Sequence, residues 1–155
     1  MKSLTINIPQ GYEVDSFDEK TGQITFRPLK PKDIKERIQS FADVLEAIGP
    51  LDPAVLDYHK LCKTLESDHH AIAYQKIVCI AIALNEGWEP DWSNSNELKY
   101  YPWFEMRGSS GFRFGGDVGW YSGSDVGSRL CFKSRELAVH AGERFTEIYK
   151  AFMVM

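Results

Sequence analysis

The chain has 155 residues, 43% of them hydrophobic and 26% charged, which is enough for one ordinary core and far from the composition of a disordered segment. Its net charge of −4 argues against coating duplex DNA, because that binding is mostly phosphate neutralisation. The longest apolar run, Ile77 to Leu84, is far too short to span a membrane.

Leu4, Ile6 and Ile8 alternate with Thr5 and Asn7, the period of a half-buried strand, until Pro9-Gln10-Gly11 breaks it. Tyr12 and Val14 alternate again, Asp18-Glu19-Lys20-Thr21-Gly22 supplies a turn, and Ile24 and Phe26 resume, so a hairpin ending at Pro28 is predicted. Pro28-Leu29-Lys30-Pro31 reads as a short stiff linker. From Asp33 the period changes. Ile34, Ile38, Phe41, Leu45 and Ile48 mark one face of a single helix, ended by Gly49 and Pro50. Asp52-Pro53 restarts the chain as N-cap and first helical residue, with Val55, Tyr58, Leu61, Cys62 and Leu65 as the buried stripe. Ser67 or Asp68 is expected to cap a third helix running to Glu86 and ended by Gly87. That helix is apolar all round between Ile77 and Leu84, so it belongs at the centre of the fold. Short links predict that the three helices pack as neighbours.

Asn85 to Phe104, NEGWEPDWSNSNELKYYPWF, joins this helix to an aromatic β region. Leu98 to Arg107 predicts a strand with Gly108-Ser109-Ser110-Gly111 as its turn. Phe112-Arg113-Phe114 begins the next strand, Trp120-Tyr121 follows, and Ser128 to Lys133 is the last. Gly116-Asp117-Val118-Gly119 and its echo Ser124-Asp125-Val126-Gly127 read as successive tight turns of a meander. Ser134 is the expected N-cap of a final helix with Leu137, Ala141, Phe145, Ile148 and Phe152 as its stripe. Gly142 lies mid-helix at a cost of about 1 kcal/mol against alanine, which implies close approach of another segment, expected to be the sheet. The predicted architecture is a single α+β domain over residues 1–155. It comprises an N-terminal hairpin (1–28), a three-helix segment (32–87), an antiparallel β-meander (98–133) and a C-terminal helix (134–153) packed on the sheet.

No catalytic signature emerges. His69 and His70 are adjacent, so they point about 100° apart on a helix, whereas zinc ligation wants spacings of three or four. Asp91-x-Ser93-x-Ser95 with Glu97 lacks the glycine and the distant glutamate of a calcium loop. The glycines from Gly108 to Gly127 contain neither a Gly-Lys nor G-x-G-x-x-G, and G-x-S-x-G is missing as well. Catalytic, cofactor-binding and metal-binding residues are accordingly predicted as none. Cys62, Cys79 and Cys131 read as small buried apolar residues. Their odd number, with no recognisable signal peptide, predicts a cytoplasmic protein.

What stands out is a set of aromatics interleaved with arginines: Trp103, Phe112, Phe114, Trp120 and Tyr121 with Arg107, Arg113 and Arg129. Strand alternation puts aromatics on both faces of the sheet, with Tyr101 and Trp103 on one side and Tyr100, Pro102 and Phe104 on the other. One helix layer can cover only one of them. The other is either covered by the N-terminal hairpin or a second subunit or, if uncovered, forms a binding face.

Two segments, NEGWEPDWSNSNELKYYPWF and YSGSDVGSRLCFKSRELAVHAGERFTEIYKAF, resemble parts of a family of small uncharacterised proteins of gut bacteria, their prophages and bacteriophages. The N-terminal IPQGYEVD and TGQITFRP are similar too. The resemblance implies a phage or mobile-element context and carries no catalytic residue with it. The favoured expectation is a non-catalytic accessory protein acting by protein–protein interaction, self-association included, through the aromatic sheet face. The alternative is a single-stranded nucleic-acid-binding module using the same aromatics and arginines. A second alternative is an enzyme in which His59, His69, His70 or His140 meets a carboxylate or cysteine in a cleft.

Overall fold

The computed structural model describes residues 6–28, 33–106 and 111–154, and its contacts divide into two compact units, Met1–Asp33 and Ile34–Met155. In the first unit β1 (Tyr12–Phe17) pairs antiparallel with β2 (Ile24–Pro28). Asp18 closes the turn, its carboxylate accepting from the Lys20 amide at 2.8 Å and its carbonyl from the Gly22 amide at 2.8 Å. A register shift between Val14 and Ser16 inserts one extra residue and pairs Phe17 with Ile24. Tyr12, Val14, Phe17, Ile24 and Phe26 therefore share one face, while Glu13, Ser16, Thr25 and Arg27 share the other. Strict alternation would have sent Phe17 to the polar side. Of the strand predicted over Leu4 to Ile8, Leu4 lies outside the described residues and Ile6 to Pro9 form no strand. The predicted linker at Leu29-Lys30-Pro31 also lies outside them.

The second unit holds α1 (Ile34–Arg37), α2 (Phe41–Ile48), α3 (Pro53–Thr64), α4 (His70–Asn85), β3 (Lys99–Glu105), β4 (Arg113–Trp120), α5 (Arg135–Arg144) and α6 (Thr146–Met153). Helices segregated from small antiparallel sheets make this an α+β protein. The single helix expected over Ile34 to Ile48 is two. Ser40 and Asp43 form a reciprocal capping box, Ser40 N donating to Asp43 Oδ2 at 2.7 Å, which starts a new helix where the apolar period alone runs on. Asp52 caps α3 as expected, accepting from the Ala54 amide at 2.8 Å. The cap of α4 is neither Ser67 nor Asp68 but His69, whose Nδ1 accepts from the Ala71 amide at 3.1 Å. Ile77, Cys79, Ile80 and Leu84 of α4 are fully buried, and α2, α3, α5 and α6 pack around it.

The final helix breaks at Phe145, where the backbone leaves helical geometry (ψ 25°) and the Thr146 hydroxyl donates back to the Gly142 carbonyl at 2.6 Å. The strand predicted over Ser128 to Lys133 shrinks to one bridge, Tyr100 with Phe132. The reason is Asn85, whose amide donates to the Cys131 carbonyl at 2.8 Å and accepts from the Lys133 amide at 3.0 Å. Those backbone groups face the end of α4 instead of a neighbouring strand. Gly116-Asp117-Val118-Gly119 is not a turn either. It lies inside β4, where Gly116 at φ +138° accompanies a bulge opposite Trp103 and Phe104. Its echo is a turn, the Ser124 hydroxyl accepting from the Val126 and Gly127 amides at 3.1 and 2.9 Å. Cys62, expected to be buried, is exposed on α3, while Cys79 and Cys131 are buried.

Candidate functional site

The β3–β4 ribbon carries the residues singled out from the sequence. On one face Lys99, Tyr101, Trp103 and Glu105 pair with Trp120, Val118, Gly116 and Arg113. On the other, Tyr100, Pro102 and Phe104 pair with Gly119, Asp117 and Phe114. Helix α5 covers the second face so closely that a Cβ added at Gly142 would lie 2.3 Å from Phe114 Cδ2 and 2.8 Å from Pro102 Cβ. Phe104 stacks on Phe112 with centroids 4.8 Å apart and meets Tyr149 of α6 at the same separation.

One face of the sheet, either of the two, was expected to stay open; α5 takes the second face, and most of the first is closed as well. Tyr101 is 4% exposed, set edge-on to Tyr149 at 6.1 Å and beside Trp120 at 6.5 Å. Lys99 is fully buried. Its ammonium donates to the carbonyls of Asp91 at 2.5 Å and Glu97 at 2.9 Å, meets Glu97 Oε1 at 3.1 Å, and sits 5.3 Å from the Trp92 ring centroid. The segment weighed as a calcium loop is thus wrapped around a cation that the chain itself supplies. Serine bonds to the Asp91 side chain hold that carboxyl below its usual range. Towards the far end Trp103 at 57% and Met106 at 56% reach solvent, and Tyr121 does so just past the Lys99 end.

The predicted residues therefore separate. Phe112, Phe114 and Trp120 are half-buried against the core. Arg113 is bound to Glu105 at 2.5 Å. Tyr121 is exposed just past the end of β4. Arg129 lines a cleft beside α3 and α4, and Arg107 lies outside the described residues. The histidines diverge too. His69 caps α4 and stacks on His70 at 4.4 Å, and His59 lies against Tyr58 at 5.2 Å. His140 shares a shallow hollow with Glu136 and Glu143, yet its Nε2 is engaged at 2.7 Å by the Ile38 carbonyl. Among the described residues no group of three or more histidine, cysteine, aspartate or glutamate side chains is arranged to hold a metal ion. Burial pushes the Cys79 and Cys131 thiols up to about 11, well away from nucleophilic thiolate. Burial also raises the Tyr101 and Tyr149 phenols, whose hydroxyls have no partner among the described residues.

Sequence reasoning missed Lys99 and the cleft. A lysine entering an aromatic strand directly after a run of Asp, Ser and Asn was the available signal for the first. The cleft has about 810 Å³ and is walled by the start of α3, the outward side of α4, and the segments around Trp88 and Arg129. No protein-family model, curated protein or solved structure matches this chain. No described helix is long and apolar enough to cross a membrane.

Proposed function

We propose that this chain is a non-catalytic binding protein, of the accessory type carried by phages and mobile elements, that works in the cytoplasm by docking the open end of its ribbon on a protein partner or on a second copy of itself. The observation that carries this is Trp103, more than half exposed in the second half of β3, with the exposed Met106 just past the end of that strand. The indole leans over the neighbouring strand, where a Cβ at Gly115 would come within 3.5 Å of its Cδ1. A large apolar anchor bordered by a charged pair, Glu105 with Arg113 at 2.5 Å, has the composition of an interface centre and rim. Three free cysteines are in keeping with a reducing compartment.

Light scattering across a concentration series, with capture of partners by wild type and Trp103→Ala, tests the reading. Self-association or partner capture should be lost in the variant while its circular dichroism is unchanged. A chain that stays monomeric and captures the same proteins with and without the indole would end the proposal.

A further inference from the structure

The cleft beside α4 has the chemistry of a second recognition site. Its floor is a stripe one helical turn apart, Tyr74, Val78 and Ile82, and Ile82 remains 39% exposed where the rest of the helix from Ile77 onward is buried. Helix α4 ends in two successive left-handed residues, Glu86 (φ 50°) and Gly87 (φ 82°), and Glu86 is held there by Arg37 at 2.5 Å and Lys133 at 3.7 Å. A non-glycine residue in that region costs on the order of 1 kcal/mol, and the turn it makes leads directly into Trp88 and Glu89 on the cleft wall.

The charges are the informative part. Arg27, Arg37, Arg113, Arg135 and Arg144 are all engaged by side-chain partners, whereas Arg129 alone among the described arginines has none. Asp57 and Glu89, which line the same cleft, are likewise without partners among the described residues. Three carboxylates, Asp52, Asp57 and Glu89, stand against the one guanidinium. The volume, about 810 Å³, falls in the range that takes a few residues of extended peptide.

We infer that this cleft binds a short segment of a partner protein in which an apolar residue is flanked by basic ones. The apolar side chain lies on Val78 and Ile82, the cations face Asp57, Glu89 and the Trp88 indole, and Arg129 takes main-chain carbonyls of the segment. The inference does not rest on the ribbon reading, because none of its residues belongs to the ribbon.

The test uses the full chain and an acetylated, amidated heptapeptide with leucine at its centre and lysines at alternate positions, beside its glutamate counterpart. Calorimetry and tryptophan fluorescence should report binding of the lysine peptide that weakens with salt. The Asp57→Asn, Glu89→Gln double variant, both positions being exposed, should weaken it about fivefold or more. Trp103→Ala should leave it unchanged, which separates this site from the ribbon. Silence of the lysine peptide at millimolar concentration, equal or better binding of the glutamate peptide, full affinity in the double variant, or loss of binding in Trp103→Ala would each overturn the assignment.

Discussion

Replacing Gly142 by alanine sets two effects of opposite sign against each other. In the interior of α5, alanine is favoured over glycine by about 1 kcal/mol, so a helix with solvent or loose packing at this position would be stabilised. The new Cβ, however, would meet Phe114 Cδ2 and Cε2 at 2.3 and 2.4 Å and Pro102 Cβ at 2.8 Å. Carbon atoms settle about 3.5–4.0 Å apart. The Phe114 ring must therefore move by more than about 1 Å, and Phe104, edge-on at 5.9 Å, restricts where it can go. Pro102 is anchored in the strand, fully buried and unable to rotate away. Overpacking of this kind costs about 1–3 kcal/mol and rises with the rigidity of the neighbours. Because neither neighbour can yield freely, the clash lies at the upper end of that range, and after the propensity gain of about 1 kcal/mol is subtracted we expect a net loss of about 1–2 kcal/mol, read as a fall in Tm of roughly 2–8 °C for a chain of this size. Thermal and urea denaturation measure it. Phe114→Ala should recover more than half of the loss in a double-mutant cycle. A Gly142→Ala protein that melts at or above the wild-type temperature would refute the close seating of α5 on the ribbon.

Lys99→Met removes the cation around which residues 91–97 fold, so that the Asp91 and Glu97 carbonyls lose its ammonium and the Glu97 carboxylate keeps only the Asp91 amide. A loss of about 3–5 kcal/mol in urea titration is expected, together with a red shift of Trp92 emission, and a change below about 1 kcal/mol would contradict the cage. Tyr101 and Tyr149 have raised phenol pKa values in the fold. Their contribution is therefore fully present below the unfolded tyrosine value near 10 and is lost as pH rises beyond it, by about 1.4 kcal/mol per unit for each ring. Tyr149→Phe should lower the slope between about pH 10 and 11, to which Tyr58 and the Cys79 and Cys131 thiols also contribute, by about 1.4 kcal/mol per unit, and cost nothing at neutral pH, since the hydroxyl has no partner among the described residues. A slope equal to wild type would refute the assignment. Single-stranded oligonucleotides should leave tryptophan fluorescence unquenched at low salt, because Arg113 is bound to Glu105 and Arg129 lines the α3–α4 cleft. Strong quenching that fades with salt would reopen the nucleic-acid reading.

What the sequence by itself determined is what is written locally. Asp52-Pro53 and Ser134 start helices because a cap needs only its own side chain and the next amides. The inward side of α3 at Val55, Tyr58 and Leu61, though not at Cys62, the apolar run of α4 and the tightness at Gly142 follow from periodicity and from the penalty glycine carries in a helix. The splits at Ser40 and Phe145 were harder to see, because the apolar period continues through both. Only the tertiary structure decided which aromatics stay wet. Tyr101 and Trp103 have the same strand parity, yet one is enclosed by Tyr149 and Trp120 and the other reaches solvent. Burial of Lys99 requires a loop to fold back over the strand it precedes, and loss of the last strand requires Asn85 to capture backbone 46 and 48 residues away. The cleft at Trp88 and Arg129 is likewise made by segments remote in the chain. Such pairings depend on which surfaces meet, and spacing within one segment does not encode them.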